Sequence, residues 1–247
     1  QSRRAATGAD ASTLRQQYTV TGFRELPLDG MRRQIAKRLS ESKQTVPHFY
    51  LSGDFNVDAL LALRKQFNDS GTQRLSVNDM LVRAYVLALQ AVPAANVIWA
   101  QDAILQLERV DMGVAVAVPG GLVTPIVRGA DAMPVTKLAS ELSALVGRAR
   151  DRKLQPHEYT GGSATLSNLG MYGVRQFQAI VNPPQATILA VGAAERRPIE
   201  AADGTLRAAS MLTVTLSVDH RAVDGAVAGE LLAALRGFVE NPLRLFL

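Results

Sequence analysis

Residues 213–225 read TVTLSVDHRAVDG, and the fold follows from how this stretch is read. Thr, Val and Leu run through Val218 as they do in a strand packed against a core. Such a strand delivers Asp219 and His220 to its end. Gly225 then forces a turn into "AVAGELLAALRGFVE", a helix that closes at Asn241-Pro242. His220 is one of only three histidines. Its imidazole, with a reference pKa near 6.5, can accept a proton close to neutrality. Asp224 or a backbone carbonyl could fix its tautomer, and Arg221 could hold the turn through a buried ion pair. Read alone, the segment is better taken as a polar turn that does no chemistry.

Upstream, the same periodicities place the other elements. Residues 1–20 are rich in Ala, Ser, Thr and Gln and read as a linker or extended arm, leaving 21–247 as one domain. Met31, Ile35 and Leu39 recur at helical spacing until Pro47 stops the helix, and "HFYLSGDFNV" follows as a strand. Asp58 is placed to cap the next helix, which Gly71 ends. Ser76 or Asn78 can cap "DMLVRAYVLALQAV", a helix apolar enough to be buried on most sides. "RVDMGVAVAV" and "GLVTPIVRGA" read as strands joined by the turn at 119–121, and Thr136 opens a further helix. "SATLSNLG" is a short strand, and "ATILAVGAAERRP" pairs with "MLTVTLSVDH" around Asp203-Gly204. Strands and helices mix without strict βαβ alternation, which argues for an α/β layered domain with a mixed sheet.

Composition narrows the function. The 247 residues are 47% hydrophobic, as in a globular domain with a sizeable core. Apolar runs are broken by Gly and Pro before the roughly 18 residues of a membrane span, so no membrane partner is expected. No secretory leader opens the chain, and Gln1 suggests a piece of a longer polypeptide. Without cysteine there is no disulfide, thiolate nucleophile or zinc-thiolate site, and a reducing intracellular setting is expected. Three scattered histidines make a metal site unexpected. The net charge of +5 lies partly in "RRQIAKR" (32–38) and "GRARDRK" (147–153), neither interleaved with aromatics. That pattern disfavours nucleic acid and leaves a solvated surface or a few bases holding a phosphate-bearing small molecule.

Five segments carry a more specific signal: "GMRRQIAKRLSESKQTVPHFYL" (30–51), "LVTPIV" (122–127), "GGSATLSNLGMYG" (161–173), "VNPPQATILAVG" (181–192) and "DHRAVDG" (219–225). In this order and spacing, the chain from about Phe23 to Leu247 resembles the acyltransferase core of the 2-oxo-acid dehydrogenase complexes, the dihydrolipoamide acyltransferases. The resemblance implies a two-layer mixed-sheet sandwich like that of chloramphenicol acetyltransferase. It also implies acyl transfer between the thiol of a dihydrolipoyl arm, carried on a separate domain, and the thiol of coenzyme A.

By that resemblance His220 is the base, Asp224 orients or polarises the site, and Ser167 donates to the oxyanion. Without the family, Ser167 is a strand-end turn former. Arg64 and Ser76 match positions near the coenzyme's phosphates and ribose, while Ser167, Asn168 and Gly192 match those along its pantetheine arm. Ala117 and Val146 depart from the polar coenzyme contacts of branched-chain relatives. "TVPHFYL" favours acetyl as the group transferred, in a pyruvate dehydrogenase-type complex. Alternatives are a branched-chain or other acyl core, a chloramphenicol-acetyltransferase-like enzyme, and a non-catalytic scaffold. His48 could line the acyl pocket but is better read as packed structure, and His157 as a capping or surface residue.

The resemblance further implies homotrimers with Ser167 and His220 from different chains, assembled into a 24-mer or 60-mer. Lipoyl domains and the E1 and E3 enzymes would be its partners. The setting would be bacterial cytoplasm, or less expectedly the mitochondrial matrix. Leu243, Leu245, Phe246 and Leu247 would supply an exposed apolar contact between trimers.

Overall fold

The computed structural model describes residues 10–71, 73–201 and 203–247. In chain order the elements are α1 (Ala11–Gln17), α2 (Gly30–Thr45), β1 (His48–Asn56), α3 (Asp58–Ser70), α4 (Val77–Ala91), β2 (Val97–Trp99), β3 (Ile104–Gln106), β4 (Met112–Val114), β5 (Val116–Val118), β6 (Gly121–Val123) and β7 (Ile126–Val127). Then come α5 (Val135–Arg150), β8 (Ala164–Asn168), β9 (Thr187–Glu200), β10 (Leu206–Asp219), α6 (Gly225–Glu240) and a 3₁₀ turn over Pro242–Phe246. Six strands form one mixed sheet in the order β1-β10-β9-β8-β4-β7. β8 runs parallel to both β9 and β4, and the remaining pairs are antiparallel.

Two apolar helices make the second layer. α4 buries Met80, Leu81, Ala84, Tyr85, Ala88 and Leu89, and α6 buries Leu231, Leu235 and Val239. The two pack on each other, and α6 also lies on β1. Along β10 the apolar members, Val214, Leu216 and Val218, join this core. The alternate residues Thr213, Thr215, Ser217 and Asp219 point to the opposite face, as strand geometry requires, and are nonetheless buried. Hydrogen bonding makes that burial tolerable for three of them: Thr213 donates to Asp54 at 2.5 Å, Thr215 bonds Ser52 at 2.9 Å, and Asp219 pairs with Arg221. This sheet face is therefore polar.

Several expectations change in detail. Within the arm expected over residues 1–20, residues 11–17 are a short helix with no buried residue; residues 1–9 lie outside the described residues. Asp58 does not cap α3. It is the first helical residue, and its carboxylate accepts from the Ser210 backbone N–H at 3.0 Å, tying the helix to β10. Ser76 does cap α4, reciprocally with Asp79. The two strands expected across 109–130 each break in the middle. β4 and β7 join the large sheet while β5 and β6 form a separate hairpin, with Pro125, which has no N–H to give a ladder, between β6 and β7. Of the four apolar residues expected to be exposed at the C-terminus, Leu247 and Leu243 are largely open to solvent and Phe246 is partly so. Leu245 is buried in the core and Phe246 packs on Phe67 at 5.5 Å.

Candidate functional site

Arg64, Ser76, Ser167 and Asn168, far apart in sequence, line one cleft of about 830 Å³. α3 brings Arg64, the start of α4 brings Ser76, and the end of β8 brings Ser167 and Asn168. Local bonds fix each part. Arg64 donates from Nε to the Leu75 carbonyl at 2.8 Å, which orients the guanidinium at the cleft wall. The Ser76 hydroxyl is engaged in the capping box, donating to Asp79 at 2.6 Å. Asn168 uses its Oδ1 to hold the Gly170 N–H at 2.8 Å and its Nδ2 to reach Asn78 at 3.1 Å. The Ser167 hydroxyl has no hydrogen-bond partner among the described residues, so it is free to serve a ligand.

Basic side chains outnumber the acidic Asp69 and Asp79 in the lining of the cleft. Arg64, Arg74 and Arg150 line it, and none of the three is in an ion pair among the described residues. Unpaired arginines suit phosphate, because the planar fork can bind two oxygens at once. Ala117 and Val146 also line the cleft and make part of its wall apolar. Sequence reads Asn78 only as a possible cap, Arg150 only as part of the basic run 147–153, and Arg74 not at all, since pattern places them on a surface without saying what that surface faces.

Gly192 is not at the cleft wall. It lies on β9 where the register to β10 slips, so that Gly192 and Ala193 together oppose Thr213. A Cβ there would stand 1.9 Å from the Arg175 carbonyl oxygen. Glycine is required because the backbone of residues 174–175 crosses at contact distance, and Ala193 donates to Val174 at 2.7 Å. Gly192→Ala is expected to lower the melting temperature by several degrees or abolish folding, since the neighbouring backbone must move. A thermal denaturation curve within one degree of the parent would refute this packing role.

His220 sits at the other end of the arrangement. Its backbone N–H donates to Pro47 at 3.1 Å, its side chain is exposed, and its ring meets Phe49 edge to face at 5.1 Å between centroids. Beside it, Asp219 accepts from Arg221 Nε at 2.9 Å and Nη2 at 2.7 Å. The pairing raises the Arg221 pKa. This is the ion pair expected of Arg221, with Asp219 as the acid. Asp224 caps α6, accepting from the Ala226 and Val227 N–H groups at 2.9 Å each. Among the described residues neither Asp224 nor a carbonyl bonds the His220 ring.

The two halves of the expected site are not together in one chain. Ser167 is level with Ala190 of β9, which is level with Thr215 of β10. His220 lies five residues further on and two strands across, roughly 19 Å away at ordinary strand rise and spacing. The remaining histidines lie elsewhere. Val181 N–H donates to His48 Nε2 at 3.0 Å, so Nδ1 carries the proton and donates to Val46 at 2.9 Å. His157 lies in a short 3₁₀ turn and offers its carbonyl to Arg128.

The architecture is a two-layer one, a mixed sheet backed by apolar helices with a cleft at a strand end. Chloramphenicol acetyltransferase shares it at TM-score 0.54 and 12% identity over 82% of this chain and 94% of that one, which is a likeness of fold alone. The family model of the 2-oxoacid dehydrogenases acyltransferase (catalytic domain) matches residues 21–247, and the chain belongs to that family. It is 48% identical to the dihydrolipoyllysine-residue acetyltransferase component of the pyruvate dehydrogenase complex of Rhizobium meliloti, over 96% of this chain and 55% of that protein. The chain thus spans about half the length of the curated relatives it matches.

Among solved structures, the Azotobacter vinelandii dihydrolipoamide acetyltransferase aligns at TM-score 0.87 and 28% identity, over 92% of this chain and 95% of that one. It was determined to study a serine, a histidine and an asparagine in that enzyme's mechanism, the last two spaced four residues apart like His220 and Asp224. The cubic core of the pyruvate dehydrogenase multienzyme complex aligns with the same score and identity.

Proposed function

We propose that this chain is the catalytic core that moves an acetyl group between a dihydrolipoyl thiol and the thiol of coenzyme A in a pyruvate dehydrogenase-type complex. The observation that carries the reading is the cleft in which Arg64, Ser76, Asn168 and the unengaged Ser167 hydroxyl meet. Arg64, with Arg74 and Arg150 at the rim, would hold the phosphates, and the apolar wall at Ala117 and Val146 would take the uncharged parts of the coenzyme. Gly192 would contribute by letting the 174–175 backbone close over β9.

His220 takes the proton of the attacking thiol, which with a pKa near 8.5 is mostly protonated at neutrality. The thiolate adds to the thioester carbonyl. Ser167 donates its hydroxyl hydrogen to the resulting oxyanion, a contribution of about 3 kcal/mol. Collapse expels the second thiolate, which recovers the proton from His220. Sulfur–carbon bonds are thereby exchanged with no acyl-enzyme, and no protein thiol is needed. Asp224 acts by fixing the start of α6 and so the turn that carries His220. Because Ser167 and His220 of one chain are far apart, the site forms where two copies meet, and a trimer supplies three such sites.

The reading extends to larger assembly into a 24-mer or 60-mer, to lipoyl domains and E1 and E3 enzymes as partners, and to a bacterial cytoplasm. The bacterial origin of the most similar relatives and the cubic core of a structural relative support it. Leu243 and Leu247, with the exposed part of Phe246, are apolar contacts available between trimers. Deleting the last five residues would also strip Leu245 from the core, so the cleaner variant is Leu243→Glu with Leu247 removed. Light scattering is expected to show that variant as trimers, and persistence of the large particle would refute the contact. Activity is tested by acetyl transfer from acetyl-coenzyme A to dihydrolipoamide. Transfer to chloramphenicol instead would select the other enzyme of this fold, and no transfer at all would select a scaffold.

A further inference from the structure

The backbone of His220 is firmly held while its ring is not. Its N–H bonds Pro47, and the preceding Asp219 accepts backbone bonds from Ala222 and Val223 at 3.0 Å each. The ring nitrogens bond nothing among the described residues. Two side-chain torsions therefore remain to be fixed, and the ring's aromatic contact among the described residues is Phe49, at 5.1 Å and an interplanar angle of 82°. Phe49 is well placed for that task. It belongs to β1, paired in register with Val218, so its Cα is as fixed as the sheet. Its ring also lies against the start of α6, where a Cβ added at Gly225 would come within 3.5 Å of it. The ring thus fills the gap between the imidazole and the helix that follows the turn.

We infer that Phe49 is a positioning residue for His220, holding the imidazole in the orientation in which it meets the thiol. This rests on the assignment of His220 as the base. Edge-to-face geometry favours one ring orientation over others because it sets a positive ring edge against a negative ring face. Without Phe49 the imidazole would sample other rotamers, and only part of the population would be competent at any moment. The coenzyme cleft, lined by other elements, would be untouched.

The experiment is acetyl transfer by the assembled protein, with Phe49→Ala, Phe49→Leu and Phe49→Tyr measured beside His220→Ala. Phe49→Ala is expected to lower kcat about tenfold, near the upper end of what one edge-to-face pair supplies, with KM for the coenzyme within about twofold. Phe49→Leu, which keeps bulk but loses the ring, is expected to fall several-fold and covers the case in which Phe49→Ala does not fold. Phe49→Tyr keeps the ring and should restore most of the rate. In a His220→Ala background, Phe49→Ala should cost nothing further, because a residue acting through His220 has nothing left to act on. An unchanged kcat in Phe49→Leu, an equal loss in Phe49→Tyr, or an undiminished effect in the His220→Ala background each overturns the inference. If His220→Ala itself retains activity, the base assignment has failed instead.

Discussion

His220→Ala is expected to lower kcat for acetyl transfer by about 10³-fold, within the range of general-base contributions, while the chain stays folded. Both halves of that expectation come from where the residue sits. The ring is exposed and bonds nothing within the described residues, so its removal costs little of the core. The turn around it is held by other groups: Asp219 and Arg221 pair across it, and Asp224 caps the helix beyond. KM for the coenzyme should change little, because the cleft belongs to α3, α4 and β8. Steady-state rates with circular dichroism on the same samples would decide the matter. A folded His220→Ala protein within tenfold of the parent rate would remove His220 from the mechanism.

Ser167→Ala is expected to cost about 10²-fold in kcat, the loss that follows deletion of one oxyanion donor. No partner holds the hydroxyl among the described residues, so loss of rate without loss of stability is the signature of a transition-state role. The two variants also make a joint prediction. Unfolded and refolded together in equal amounts, inactive His220→Ala and Ser167→Ala chains should regain about a quarter of the parent activity, because random mixing rebuilds that share of sites between copies. A site built within one chain would give no recovery at all. Failure to regain activity, with both variants assembled, would contradict the roughly 19 Å separation read from the sheet register.

Much of the fold was legible because local pattern and tertiary role agree. The β9–β10 hairpin, the buried α4 with its Ser76 cap and the final α6 all follow from periodicity and capping chemistry. Where the expectation failed, a long-range partner intervened. Asp58 looks like a cap in sequence, but the Ser210 N–H of a distant strand claims its carboxylate. Leu245 looks as exposed as its neighbours until the 3₁₀ turn folds it inward. Arg74 and Arg150 carry no local signal for a cleft, since a surface arginine reads alike whether it faces bulk water or a pocket.

The sequence by itself determined the residue types of the site and the family they belong to. The absence of cysteine excludes a protein thiol, and the resemblance carried by the five segments, with His220 in DHRAVDG and Ser167 in TLSNLG, is what implies transfer between two external thiols. It also determined the alternation that makes one sheet face apolar. Only the tertiary structure decided which of those residues share a cavity and which do not. Register and strand order are set by pairings between distant segments, and these gather Arg64, Ser76, Ser167 and Asn168 while leaving His220 about 19 Å off. They also place Gly192 at a backbone crossing where no side chain fits.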